Sequence, residues 1–240
     1  MKSIAILSLA AASALSHAAA VLHDNGPVVD AATGLSVSPY PRLQAFYGFG
    51  AQTKSDRAVA DDFTVGAAGW TLQSIDLFAL QNGATSFTLQ TVSWSILSGD
   101  VNNGSLVASG TTVLSNGGLV GYRVSNDTLA DQTRPIYRAS ADITDLKLAA
   151  GHYWLTWSLT GSRSTGPFVP PTLGSDGLGN AMQADTGLSF SSALTKGQTV
   201  ELPFVLNGTV NAVPEPGSYA MLAAGLGVLG LVARRRRNKV

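Results

Sequence analysis

Few side chains in this sequence have the type and spacing for chemistry. Asp61 and Asp62 are neighbours in Ala58-Val-Ala-Asp-Asp-Phe-Thr-Val65, and Asp100 and Asn102 alternate in Asp100-Val-Asn-Asn-Gly-Ser105. Carboxylate and amide oxygens so placed suit a hard cation, so Asp61, Asp62, Asp100 and Asn102 are the candidate ligands of a structural calcium ion. The Asp100 loop lacks the spacing and terminal glutamate of an EF-hand, and an Asx-stabilised turn explains the same residues. For Asp61 and Asp62 the alternative is a carboxylate hydrogen-bonded to loop amides. His152 and Trp154 alternate in Gly151-His-Tyr-Trp154, where an indole beside a polar group could stack on a sugar ring. A core tryptophan is the competing expectation.

Catalytic constellations are scarce. The chain has no cysteine, which removes thiolate nucleophiles, disulfides and cysteine zinc sites. Its histidines are His17, His23 and His152. Only His152 falls in a predicted strand, so a Ser-His-Asp triad would have to use it, and no serine has a Gly-x-Ser-x-Gly context. Asp61 and Asp62 cannot form a glycosidase pair as strand neighbours, because their side chains point to opposite faces. The sequence reads as a non-enzyme, with no cofactor beyond that one ion.

The elements that must hold these residues read as strands. In Val59 to Val65 the residues Val59, Asp61, Phe63 and Val65 share one face, which puts Asp61 among apolar neighbours. Trp70 to Leu80 is apolar on both faces and reads as a central strand. Ser86 to Leu97 changes phase near Gln90 and Thr91, the mark of a bulge. Further expected strands are Val28-Val29, Leu106 to Val113, Leu119 to Val124, Arg134 to Arg138 and Met182 to Phe190, with a hairpin turn at Asn116-Gly-Gly118. Asp142 to Ala149 leads into Gly151 to Leu159, which turns Tyr153, Leu155, Trp157 and Leu159 to the core and His152 and Trp154 away. His23 is expected in loose chain. Thr199 to Leu206 turns Val200, Leu202, Phe204 and Leu206 inward, and Pro203 points to an edge position. Short strands, frequent turns and no helical period predict an all-β body, a β-sandwich of jelly-roll-like form.

The two ends differ from this body. Met1-Lys2, the apolar stretch Ile4 to Leu15 and the small residues around Ala18 to Ala20 form a secretory signal peptide. At the other end Val213-Pro-Glu-Pro216 is a breaker, Tyr219 to Ala233 is uncharged and apolar, and Arg234, Arg235, Arg236 and Arg237 form a basic block. A helix of about 15 residues rises about 22 Å, short of a full hydrocarbon core, but an arginine quartet retained on the cytoplasmic side favours a short transmembrane helix. With the ends set aside, nine basic and fourteen acidic residues leave the body at −5, which argues against nucleic acid as a partner.

This tripartite end resembles the PEP-CTERM sorting signal of Gram-negative bacteria. The resemblance implies an exosortase as processing partner, acting near Val213, Pro214, Glu215 and Pro216. It also implies anchoring in the inner membrane before processing, with Arg234 to Arg237 as the stop. The destination it implies is the cell surface or extracellular matrix. Ala60-Asp-Asp-Phe-Thr-Val65 followed by Trp70, and Leu148-Ala-Ala-Gly-His-Tyr-Trp154, are similar to phrases in the bodies of such proteins and imply a shared sandwich with no activity attached. The expected organisation is a signal peptide at 1–20, a β-sandwich body at 21–211 and the sorting signal at 212–240. The expected role is structural or adhesive, in biofilm or exopolysaccharide. A carbohydrate-binding module and a polysaccharide or ester hydrolase are the alternatives.

Overall fold

The structure, a computed structural model, describes residues 19–44, 47–187, 189–211, 224–230 and 234–235. They fall into two compact units, one ending at Val210 and one beginning at Asn211. In the second unit residues 224–230 are helical. Among the described residues no helix is long and apolar enough to cross a membrane. The expected signal peptide, apart from Ala19 and Ala20, lies outside the described residues, as do Val213 to Pro216, Arg236 and Arg237.

The first unit is all-β. Its strands are β1 (Ala20–Asp24), β2 (Leu35–Ser38), β3 (Phe49–Gly50), β4 (Ala58–Val65), β5 (Trp70–Leu80), β6 (Leu89–Ser98), β7 (Ser105–Ser125) and β8 (Pro135–Leu148). There follow β9 (Gly151–Gly161), β10 (Phe168–Val169), β11 (Met182–Ala184), β12 (Ser191–Ser192), β13 (Leu194–Thr195), β14 (Gln198–Thr199) and β15 (Phe204–Val210). Thirteen of them join one curled sheet in the order β1-β15-β5-β8-β7-β6-β9-β4-β11-β12, with β2, β3 and β10 off this path. Pairing is antiparallel except for β2, which runs parallel to β7.

The curl is made by β7. Its first part, to Val113, pairs with β6, and from Leu114 it pairs with β8. One strand therefore belongs to two leaves, and their inner faces enclose the core. Phe63 of β4 lies 6.4 Å from Phe204 of β15, and Trp157 of β9 lies 5.9 Å from the same ring, so aromatic side chains bridge the leaves. Val200, Leu202, Phe204 and Leu206 are fully buried, as their alternation predicts. Each such side chain contributes about 1.5–3 kcal/mol by leaving water.

Several expected elements differ. Asn116-Gly-Gly118 is a bulge inside β7, where the register with β8 shifts. Asn116 Oδ1 accepts the Gly118 N–H at 2.9 Å, and Arg138 clamps the Gly117 carbonyl from β8 through Nε at 3.2 Å and Nη2 at 3.0 Å. A partner strand can hold a glycine pair extended that would turn the chain if left alone. For the same reason Leu106 to Val113 and Leu119 to Val124 are one strand, and Arg134 to Ala149 is essentially the single strand β8. β15 is an interior strand between β1 and β5, since Pro203 precedes its first residue and costs the ladder no donor. Val28-Val29 is a bend whose Val28 plugs a small cluster with Leu80 and Ile136. Only Met182–Ala184 of Met182 to Phe190 is a strand. His23 lies in β1 opposite Leu206, with its ring 5.1 Å from Phe204. The phase change at Gln90 and Thr91 is a register shift between Leu89 and Val92.

Candidate functional site

The alternation of β4 turns Asp61 inward, and the carboxyl is fully buried. Three N–H groups meet it. The Asp62 N–H donates to Oδ1 at 2.9 Å, and Oδ2 accepts from the Leu202 N–H at 2.6 Å and from Asn25 Nδ2 at 2.8 Å. The Asn25 amide also donates toward Glu201 Oε2 at 3.1 Å and the Leu202 carbonyl at 3.0 Å, while its Oδ1 lies 3.2 Å from His23 Nε2. Glu201 Oε1 accepts from the Asn180 N–H at 3.1 Å. Asp61, Asp62 and Glu201 each bring one oxygen within 4.8 Å of the others.

Electrostatics follow from this packing. Burial, and after it the neighbouring Glu201 charge, push the Asp61 carboxyl up to about 9. Two carboxylates this close cannot both ionise cheaply away from water, so the Asp61–Glu201 pair holds a proton at neutral pH. What it does structurally is fasten three stretches far apart in sequence: Asn25 after β1, Asp61 in β4, and residues 201–202 before β15. Complete burial leaves Asp61 no open face toward a substrate. A cation here would compete with the amide donors that already occupy both Asp61 oxygens.

Asp62 lies on the opposite face and pairs with His152 Nε2. Both side chains meet solvent, at 45% exposure for His152 and 23% for Asp62, so the pair contributes little. Trp154 is 7% exposed and packs with Ala60 and Val101 beneath Met182 and Phe190, so the indole face expected to stack on a sugar is covered by the chain itself. The His152 ring meets it edge-on at 6.1 Å. Asp100 does not join the Asp61–Asp62–Glu201 group. Asp100 Oδ1 takes the N–H groups of Asn102 and Asn103, both at 2.9 Å, and Asn102 pairs its amide with the Phe190 backbone at 2.8 and 3.1 Å.

Asn25 and Glu201 were not singled out from sequence. The available signals were the turn-forming Asn25-Gly26 and a lone glutamate between inward-facing Val200 and Leu202.

In the second unit, Arg234 and Arg235 are helical and exposed. The chain matches the PEP-CTERM protein-sorting motif over residues 212–237, which include Val213 to Pro216 and Arg234 to Arg237. No curated protein matches the chain, and no solved structure does. The motif marks the chain as an exported protein sorted by an exosortase.

Proposed function

We propose that this chain is a non-enzymatic surface or matrix protein, structural or adhesive in exopolysaccharide or biofilm. In this reading residues 1–20 are a signal peptide, 21–211 a jelly-roll-like sandwich and 212–240 the sorting signal. The last segment is a transient inner-membrane anchor ending at the arginine quartet. The observation that carries the reading is the sorting motif at 212–237, which begins two residues after β15 ends at Val210. Nothing in this role asks for turnover, and the buried acid pair serves it as a fastening. The pair supports a proton-holding reading better than a calcium seat, because amide hydrogens already face the Asp61 oxygens. Replacing Pro214 and Glu215 together with Ala tests the route: the variant should stay full-length in the membrane fraction. Normal processing and release of that variant would refute recognition at this motif.

A second reading, carbohydrate binding, is supported by a different place from Trp154. Ser93, Ser95, Ser109, Thr111, Thr156 and Ser158 line an open depression of about 390 Å³ across β6, β7 and β9. Hydroxyl-to-hydroxyl exchange with water gains little per bond, so such a face would bind a polymer weakly and through many copies. Ser95→Ala with Thr156→Val should lower retention on exopolysaccharide beads, and unchanged retention would sink this reading.

A further inference from the structure

A buried guanidinium must have its N–H groups and its charge answered, or the fold loses several kcal/mol. Two arginines meet this requirement side by side, with different outcomes. Arg134 is 7% exposed and well provided for. Its Nε donates to the Arg123 carbonyl at 3.0 Å, Nη1 to Thr133 Oγ1 at 3.2 Å, and Nη2 to Asp131 at 2.5 Å, while its carbon lies 3.8 Å over the Tyr47 ring. Arg123, at the far end of β7, is 1% exposed. Its Nη1 donates to Ser36 Oγ of β2 at 2.9 Å, but among the described residues Nε and Nη2 have no partner. Those two nitrogens form one edge of the guanidinium plane, the edge that grips a carboxylate or phosphate with two parallel hydrogen bonds.

The same place holds a second orphan. Arg123 and Thr195 line one cavity of about 70 Å³, closed in by Val37, Pro171 and Thr172. Thr195 is 2% exposed and its hydroxyl also lacks a partner among the described residues. Among the described residues no carboxylate forms an ion pair with Arg123. Among the described residues the ion pairs are Arg57–Asp185, Arg134–Asp131 and His152–Asp62. Asp176 borders the cavity, exposed to solvent and without an ion pair to Arg123. Burial brings Arg123 down to about 10, against the opposing pull of the Asp176 charge, so it is a cation at neutral pH. Water could fill the N–H bonds but would leave only the solvent-exposed Asp176 at the rim to oppose the charge.

We propose that the cavity at Arg123 binds a small oxyanion, gripped by Nε–H and Nη2–H with the Thr195 hydroxyl as third donor. A ligand-sized pocket is typically about 300–1,000 Å³, so this one takes a single small group. The group is either a free inorganic oxyanion or one carboxylate projecting from a larger molecule, such as a uronic-acid polymer. The proposal stands on the geometry of the body and is independent of the sorting route.

Thermal unfolding of the purified full-length chain tests it, with sulfate, phosphate, acetate and glucuronate titrated at constant ionic strength. Binding to the folded state raises Tm saturably. Arg123→Met should abolish the saturable rise. Thr195→Val, which leaves the arginine in place, should weaken apparent affinity by about tenfold, the worth of one hydrogen bond to a charged group. Asp176→Asn should tighten binding several-fold, because it removes a competing negative charge from the rim. An oligouronide that protects at lower concentration than free glucuronate identifies a projecting carboxylate, and protection by sulfate or phosphate alone identifies a free ion. Three results would overturn the proposal. One is no saturable response to any anion. Another is a linear response shared by every variant, which is general salt exclusion. The last is weaker binding in Asp176→Asn, which would make Asp176 the partner of the arginine.

Discussion

Asp61 keeps its proton in the folded chain up to about pH 9, against a usual value of 3.8, because burial and the Glu201 charge disfavour the anion. Between those values the unfolded chain has lost a proton that the folded chain retains. Stability from this group is therefore complete below pH 4 and declines as pH rises through 9. The steepest slope is one proton, about 1.4 kcal/mol per pH unit. Asp131 works in another window: the Thr133 hydroxyl, with its backbone N–H and Arg134, pulls it to about 2, so its contribution is complete above pH 4 and is lost as pH falls through 2. Asp61→Asn should flatten the dependence of urea-unfolding free energy on pH between 5 and 8, and an unchanged slope would place the proton elsewhere. Calcium and chelator should leave the wild-type Tm alike, and a calcium-dependent rise would put an ion at Asp61, Asp62 and Glu201. The inward face of Asp61 was legible from alternation within eight residues. Its partners were not, because Leu202 lies 141 positions away and no local pattern encodes that approach. Trp154 lay on the face turned away from the main core, as read, but Met182 and Phe190 cover that face, and their arrival depends on a long irregular segment.

Among the elements, β7 sets the form of the body. Its alternation could be followed locally, yet its unity could not, since Asn116-Gly-Gly118 is turn chemistry until β8 holds it extended. Pro203 shows the converse: proline excludes a residue from the interior of a ladder but says nothing about the strand that begins one residue later. The seat of β2 depends on a missing side chain. A Cβ on Gly121 would lie 2.1 Å from the Gly34 carbonyl oxygen, which accepts the Tyr122 N–H at 2.9 Å. Gly121→Ala should therefore cost at least about 1–3 kcal/mol of unfolding free energy and loosen β2 from β7. Amide exchange at Tyr122 should speed up in the variant, and a chain as stable as wild type with slow exchange there would contradict this packing. Because Ser36 of β2 is the partner of Arg123, the same substitution should also weaken the oxyanion response.

At the scale of the molecule, what was legible was the division of labour: an all-β body of alternating strands, followed by a segment of different composition carrying the sorting motif. The curl that joins the leaves into one sheet was not, because pairing between distant strands leaves little trace in local sequence. Replacing Arg234 to Arg237 with Ser should shift the protein between membrane and soluble fractions if the quartet retains the chain during sorting. An unchanged fractionation profile would count against that role.

The pairing of β1 with β15 has a further consequence. Ala20 lies opposite Gly208, so the first strand of the body begins at the pole where the last one ends, beside Trp70 and Leu148. β5 runs from that pole at Trp70 to the opposite one at Leu80, a span of about 33 Å at 3.3 Å per residue. The distal pole is where Ile136 pairs with Gly121 and Pro135 with Tyr122, one residue short of Arg123. Within the body, the Arg123 cavity therefore lies at the end opposite the pole where β15 finishes at Val210.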